Sequence, residues 1–278
     1  MTSAWRSILL HVDAAPGSVA RMQIALELAE RHDARIAALF AGADPEPDAS
    51  FAYSGAAALD DLAATRRLEW RDAARTRLRR AAGDDGSRIA WADLAGDAMV
   101  PGFVAEAAYA DLLVLGPPST AGAARGGAPA GFVESVVLQS GRPALIVPPD
   151  AAPTGLGRRI LVAWNGSPQA ARAVAGALPL LGHAEAVHVV SWSHRPPCAP
   201  CSGLSIEEML GRHGVAAEAH RRGPSPHVGD ELLALMRRLG ADLVVMGAYG
   251  RSRAREWMLG GATRSMLHAQ QVPLLLAH

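Results

Sequence analysis

Residues 241–263 read ADLVVMGAYGRSRAREWMLGGAT, and this stretch decides the fold. An apolar run, LVVM at 243–246, stops at Gly247, and Gly250 follows three residues later. A basic segment then leads to Gly260 and Gly261, and a helix-like run covers 263–269. The pattern is strand, glycine loop, helix. Glycine permits positive φ and close backbone approach, so such a loop can aim N–H groups and a helix N-terminus at an anion.

Working outward, the stretch has an earlier partner. ADLVVMG at 241–247 repeats ADLLVLG at 110–116, and the ending VPLLLAH at 272–278 repeats RPALIVPP at 142–149. Strands are expected at 8–12, 35–40, 87–92, 112–115 and 144–147, with helices at 19–31, 59–82, 100–109 and 131–140. The same order returns with strands at 160–164, 186–192 and 215–219 and helices at 169–181, 204–212 and 228–239. A period of half the chain means two copies of one domain. Strands alternating with helices imply right-handed crossovers and a parallel sheet, and near-continuous apolar strands imply a sheet covered on both faces. The fold class is therefore α/β, as two tandem open parallel five-stranded sheets of Rossmann-like type. The boundary falls in PPDAAPTGLG at 148–157, giving domains 1–150 and 151–278.

Acidic and basic residues balance at 27 each, and every basic residue in that count is arginine, since the chain has no lysine. Balance argues against a nucleic-acid or membrane surface as partner. The missing lysine excludes a Walker-type phosphate loop and Schiff-base chemistry. No apolar run is long enough to span a bilayer, and the N-terminal residues lack a signal-peptide pattern, so a cytoplasmic protein is expected.

GAYGRSRAREWMLGGAT at 247–263 resembles the G-x2-G-x9-G-[S/T] loop of the universal stress protein family. ILVAWNGSPQAARAV at 160–174 resembles that family's first strand and turn, and VPLLLAH its last strand. The resemblance covers essentially the whole chain as two tandem copies. It implies strand order 3-2-1-4-5, with a ligand crevice between strands 1 and 4 at their carboxyl ends. It also implies adenine-nucleotide binding, as ATP with Mg²⁺. The nucleotide would meet Asn165 after strand 1, backbone groups near Val189 on strand 2, and Gly247, Gly250, Arg251, Gly260, Gly261 and Thr263 of the loop. Two positions depart from the family. Asn165 stands for an aspartate, and Gly261 for the usual serine. Arg251 and Arg253 have the charge to neutralise phosphate.

The first copy departs further. Asp13 is present, but its loop reads GPPSTAGAARGGAPAG at 116–131, where Pro117 and Pro118 each remove an N–H. Glu134 falls roughly where Thr263 sits. The first domain is expected to bind no nucleotide and to serve a structural or regulatory role.

Cys198 and Cys201, the chain's two cysteines, form a C-x2-C with His194 four residues earlier. The spacing suits a metal half-site or a dithiol switch, and equally an exposed loop of reduced thiols. Most of the ten histidines lie in the second half. His188 falls on an expected strand and His220 just after one, where simple hydrogen bonding is the expected role. No G-x-S-x-G or H-E-x-x-H occurs, so the chain reads as a binding protein rather than an enzyme, with slow ATP hydrolysis the one activity left open. The alternative is a non-nucleotide-binding scaffold with a cysteine-based redox or metal-responsive loop. Residues 274–276 are expected to pair with 145–147, within one chain as a monomeric pseudo-dimer or between chains as a homodimer.

Overall fold

The structure is a computed structural model that describes residues 4–15, 17–43, 56–94, 99–118, 126–192, 203–249, 261–269 and 271–278. In the first half, strand β1 (Ser7–Val12) leads through α1 (Ser18–His32) to β2 (Arg35–Phe40). The long helix α2 (Ala56–Ala82) and a 3₁₀ turn (Gly83–Arg88) lead to β3 (Ile89–Asp93). Then come α3 (Met99–Ala107), β4 (Leu112–Leu115), α4 (Phe132–Gln139) and β5 (Ala144–Ile146). The second half repeats the plan. It runs β6 (Arg159–Ala163), α5 (Pro168–Leu181), β7 (Ala186–Trp192), α6 (Ile206–Arg212), β8 (Ala217–Arg222), α7 (Val228–Leu239), β9 (Leu243–Gly247), α8 (Ala262–His268) and β10 (Leu274–Ala277).

Each half has the order 3-2-1-4-5, but the halves do not form two separate sheets. They make one ten-stranded sheet, β3-β2-β1-β4-β5-β10-β9-β6-β7-β8. The expected pairing of the two last strands occurs within the chain, where β10 lies antiparallel to β5 and Leu275 faces Leu145. Every other ladder is parallel. The fusion follows from edge chemistry: LLLA and ALI would each expose a flat apolar edge, and pairing them removes both edges at once.

Strand alternation divides the side chains between two cores. Ile8, Leu10 and Val12 join α1, α2, α5 and α6 on one face. Leu9, Leu113 and Leu161 join α3, α4, α7 and α8 on the other. Both cores run unbroken across the seam. Contacts between halves reinforce it: Arg31 Nη1 donates to the Leu156 carbonyl at 3.0 Å, and a Cβ on Gly176 of α5 would come within 2.7 Å of Pro143.

Local signals explain the helix starts. Ser167 caps α5 by accepting from the Ala170 N–H at 3.2 Å, with Pro168 in the first turn where a missing N–H costs nothing. Ser205 and Glu208 form a reciprocal capping box on α6. Among the described residues no helix is long and apolar enough to cross a membrane. Two strands lie later than expected. β3 begins at Ile89 because a 3₁₀ turn takes up 83–88, and β8 begins at Ala217 rather than 215. β8, AEAHRR, is an edge strand whose polar residues conceal it from an apolar-run criterion.

Candidate functional site

The switch point of the second half lies between β6 and β9 at their carboxyl ends, where the chain leaves in opposite directions. Asn165 is exposed on the turn after β6, and its Oδ1 accepts the Ser167 N–H at 3.0 Å. That turn, with Gly166 at φ 71°, starts α5. Gly247 ends β9 against the first turn of α5. A Cβ there would lie 2.6 Å from the Ala170 nitrogen, so glycine at 247 is required for strand–helix contact. Tyr249 follows with φ 54°, and its N–H points to the Thr263 hydroxyl at 3.5 Å. Thr263 is buried in the first turn of α8, and Gly261 precedes that helix. The C-terminal residue closes the rim, His278 Nδ1 meeting the Ala248 carbonyl at 3.0 Å.

One residue here was not anticipated. Gln169 Oε1 is buried beside Gly247 and has no hydrogen-bond partner among the described residues. A buried amide oxygen without a donor is costly, which marks it as a group able to receive a ligand donor. The sequence signal was its place just after Pro168 at a helix start.

The structure brings Asn165, Gly247, Gly261 and Thr263 to the rims of this crevice. Val189 lies in mid-strand, buried and paired with Val162 on one side and Ala219 on the other. Gly250, Arg251, Arg253 and Gly260, and likewise His194, Cys198 and Cys201, lie outside the described residues.

The first half builds the same crevice and fills it. Ile8 pairs with Leu112 as Ile160 pairs with Leu243, so Asp13 corresponds to Asn165, Arg21 to Ala173, His11 to Ala163 and Gly116 to Gly247. Asp13 is buried and its Oδ1 lies 2.9 Å from Arg21 Nη2, both side chains almost fully enclosed. A Cβ on Gly116 would fall 2.0 Å from Arg21 Nη1, so the guanidinium lies directly on that glycine. The backbone adds a strap: the Gly126 carbonyl accepts from the Ala14 N–H at 3.0 Å, and the Gly127 carbonyl from the Ala43 N–H at 2.8 Å. Above it, α2 sends Arg77 to the Ala14 carbonyl and Arg67 to the Gly42 carbonyl. Helix α4 also corrects one expectation. Gly131 caps α4 as Gly261 caps α8, so Val133, not Glu134, matches Thr263.

His11 sits beside this pair. Its Nε2 donates to the Ala41 carbonyl at 2.8 Å, which leaves a buried Nδ1 without a partner. Protonating Nδ1 would create a buried, unmatched N–H. Burial first, and then the Arg21 charge, lower its pKa from 6.5 to about 4. Burial likewise lowers His32 to about 4, where Trp5 packs edge-on at 4.9 Å. A histidine with a depressed folded-state pKa contributes stability that is whole above pH 6.5 and is lost as pH falls through 4. Urea titrations at pH 7 and pH 4.5 are therefore expected to differ by about 2–3 kcal/mol from His11 alone. An unfolding free energy that is flat over that window removes this assignment.

The expected position of His220 is corrected, and the hydrogen bonding expected of His188 and His220 is between the two. His220 lies inside β8, not after it, and the two rings meet at 3.1 Å between His188 Nδ1 and His220 Nε2.

The fold is a tandem, doubly wound α/β protein with a switch point between strands 1 and 4 in each half. Residues 157–278 match the model of the universal stress protein family. Solved structures with the same overall fold include a universal stress protein from Archaeoglobus fulgidus DSM 4304. It is 18% identical with a TM-score of 0.68, and the match covers 98% of this chain and 97% of that one. A functionally unknown protein from Pseudomonas aeruginosa PAO1 is 18% identical with a TM-score of 0.57, over 99% of this chain and 92% of that one. A protein described as a putative universal stress protein from Pseudomonas aeruginosa UCBPP-PA14 gives 18% and 0.56, over 99% and 93%. No curated protein matches the chain.

Proposed function

We propose that this stress protein binds an adenine nucleotide, ATP with Mg²⁺, in its second domain, residues 151–278, and acts by binding protein partners rather than by catalysis. One observation carries the reading: the ion pair that fills the first crevice has no counterpart at the matching positions of the second. Where the first half places Arg21 against Gly116, the second has Ala173, and where the first buries Asp13, the second exposes Asn165. Among the described residues, the second crevice therefore lacks the internal cation that fills the first. Asn165 offers an amide to a base, Gln169 an unmatched buried oxygen, and the turn into α8 backbone N–H groups. Arg251, Gly250 and Gly260 supply the phosphate side of the proposal on sequence grounds, with Gly247, Gly261 and Thr263 shaping the loop and Val189 lining strand 2. The first domain, 1–150, serves as a closed companion.

Isothermal titration of nucleotide-free protein with ATP and Mg²⁺ tests this. The expected result is one saturable site per chain, lost in Gly250→Val and much weaker with GTP. A flat titration at millimolar ATP on folded protein overturns the proposal and leaves the scaffold reading.

A further inference from the structure

We propose that His188, Glu218 and His220 form a binding site for a divalent transition ion of the zinc class, on the face of the sheet at its β8 edge. The placement follows from strand geometry. His188 on β7 is directly opposite Glu218 on β8, and His220 lies two residues along β8, on the same face. One ligand atom from each residue lies within 4.8 Å of the other two. His188 Nδ1 is 3.1 Å from His220 Nε2 and 3.3 Å from Glu218 Oε2, and His220 Nε2 is 3.7 Å from Glu218 Oε1. A tetrahedral ion with bonds of about 2.0–2.1 Å has ligand–ligand edges of about 3.3 Å. The two ring nitrogens and the Glu218 carboxylate are thus spaced close to what one face of such a tetrahedron needs.

The donor set fits the ion. Two imidazole nitrogens and one carboxylate oxygen suit zinc, and leave a fourth position for water or an added ligand. Without an ion the group is poorly matched. Two ring nitrogens point at each other, one proton can lie between them, and Glu218 competes for the same donor. A dication satisfies all three lone pairs together. His188 is buried, so its ring is held in place by the packing around it. Glu218 is largely exposed, with 66% of its side chain accessible, so an ion can reach the site from solvent. The bound ion would tie the edge strand β8 to β7. His188 and Val189 are consecutive on β7, so their side chains point to opposite faces of the sheet.

The test uses the full chain, stripped with a chelator and titrated calorimetrically with zinc, with cobalt as an optical reporter of tetrahedral coordination. One equivalent is expected to bind to the native protein and equally to a Cys198→Ser, Cys201→Ser variant. Glu218→Gln and His220→Gln, both at the accessible edge, are each expected to weaken binding at least about tenfold, with circular dichroism unchanged. Zinc binding that survives both edge substitutions, or that disappears with the cysteines, overturns the proposal. So does the absence of binding at micromolar zinc.

Discussion

Arg21→Ala is expected to lower the unfolding free energy by about 3–5 kcal/mol, the range for removing one partner of a buried ion pair. Asp13 and Arg21 are 2.9 Å apart, and their side chains are only 6% and 4% exposed. With the guanidinium gone, the Asp13 carboxylate stays buried. Its remaining neighbours are the Ala15 N–H at 3.2 Å and the neutral His11 ring, whose Nε2 lies 3.9 Å away. The size of the loss is therefore set by the stranded charge, not by the lost attraction. Asp13→Ala combined with Arg21→Ala is expected to recover much of it, because both desolvation costs then disappear. The single variant also removes the cation that helps hold His11 at about 4, so His11 should protonate more readily and the acid-side loss of stability should shrink. Urea unfolding of the three proteins at pH 7 and pH 4.5 checks both points. A cost below about 1 kcal/mol for Arg21→Ala, the range of exposed pairs, would mean that the first crevice is wet.

This pair shows where sequence reading stopped. Strand order was legible because eight of the ten strands are short apolar runs bounded by turn residues, and because ADLLVLG and ADLVVMG repeat the fourth strand. The β5–β10 pairing was legible as one of two options, within or between chains, since an unpaired LLL edge must be covered by something. Arg21 gave no such signal. In VARMQIALELAERH an arginine among apolar residues reads as the polar stripe of an amphipathic helix, and only tertiary placement turns it inward onto Gly116. Pro117 and Pro118 pointed to a first loop short of N–H donors, but the physical closure, by the Gly126–Gly127 strap and Arg21, had no sequence signal. Equally, Gly247 was read as a loop glycine, while its close approach to Ala170 depends on a helix 77 positions earlier. His188 and His220 were each read as solitary, because a cross-strand triangle depends on register, and register was not fixed by the polar strand AEAHRR.

The second large effect concerns the seam. Leu275→Ala is expected to cost about 2–5 kcal/mol, and Leu275→Asp to prevent stable folding by burying an unpaired charge. Leu275 and Leu145 face each other across the antiparallel joint, both fully buried. The same core cluster holds Ile8 and Val12 of the first half with Ile160 and Val162 of the second. A cavity at Leu275 therefore removes packing from both halves. At this chain length about 2 °C of melting temperature accompanies each kcal/mol, so calorimetry should show one endotherm shifted down by about 4–10 °C. The shape of that endotherm matters more than its position. Two domains joined only by a linker would unfold separately, and Leu275→Ala would move the second transition alone. A sheet and two cores continuous across β5 and β10 require a single cooperative transition, in the native protein and in the variant. Two resolved transitions, with the first half unmoved, would mean that the seam is a docking contact between independent folds. A single shifted one means that the first half, with its crevice closed by Arg21, folds as one unit with the second.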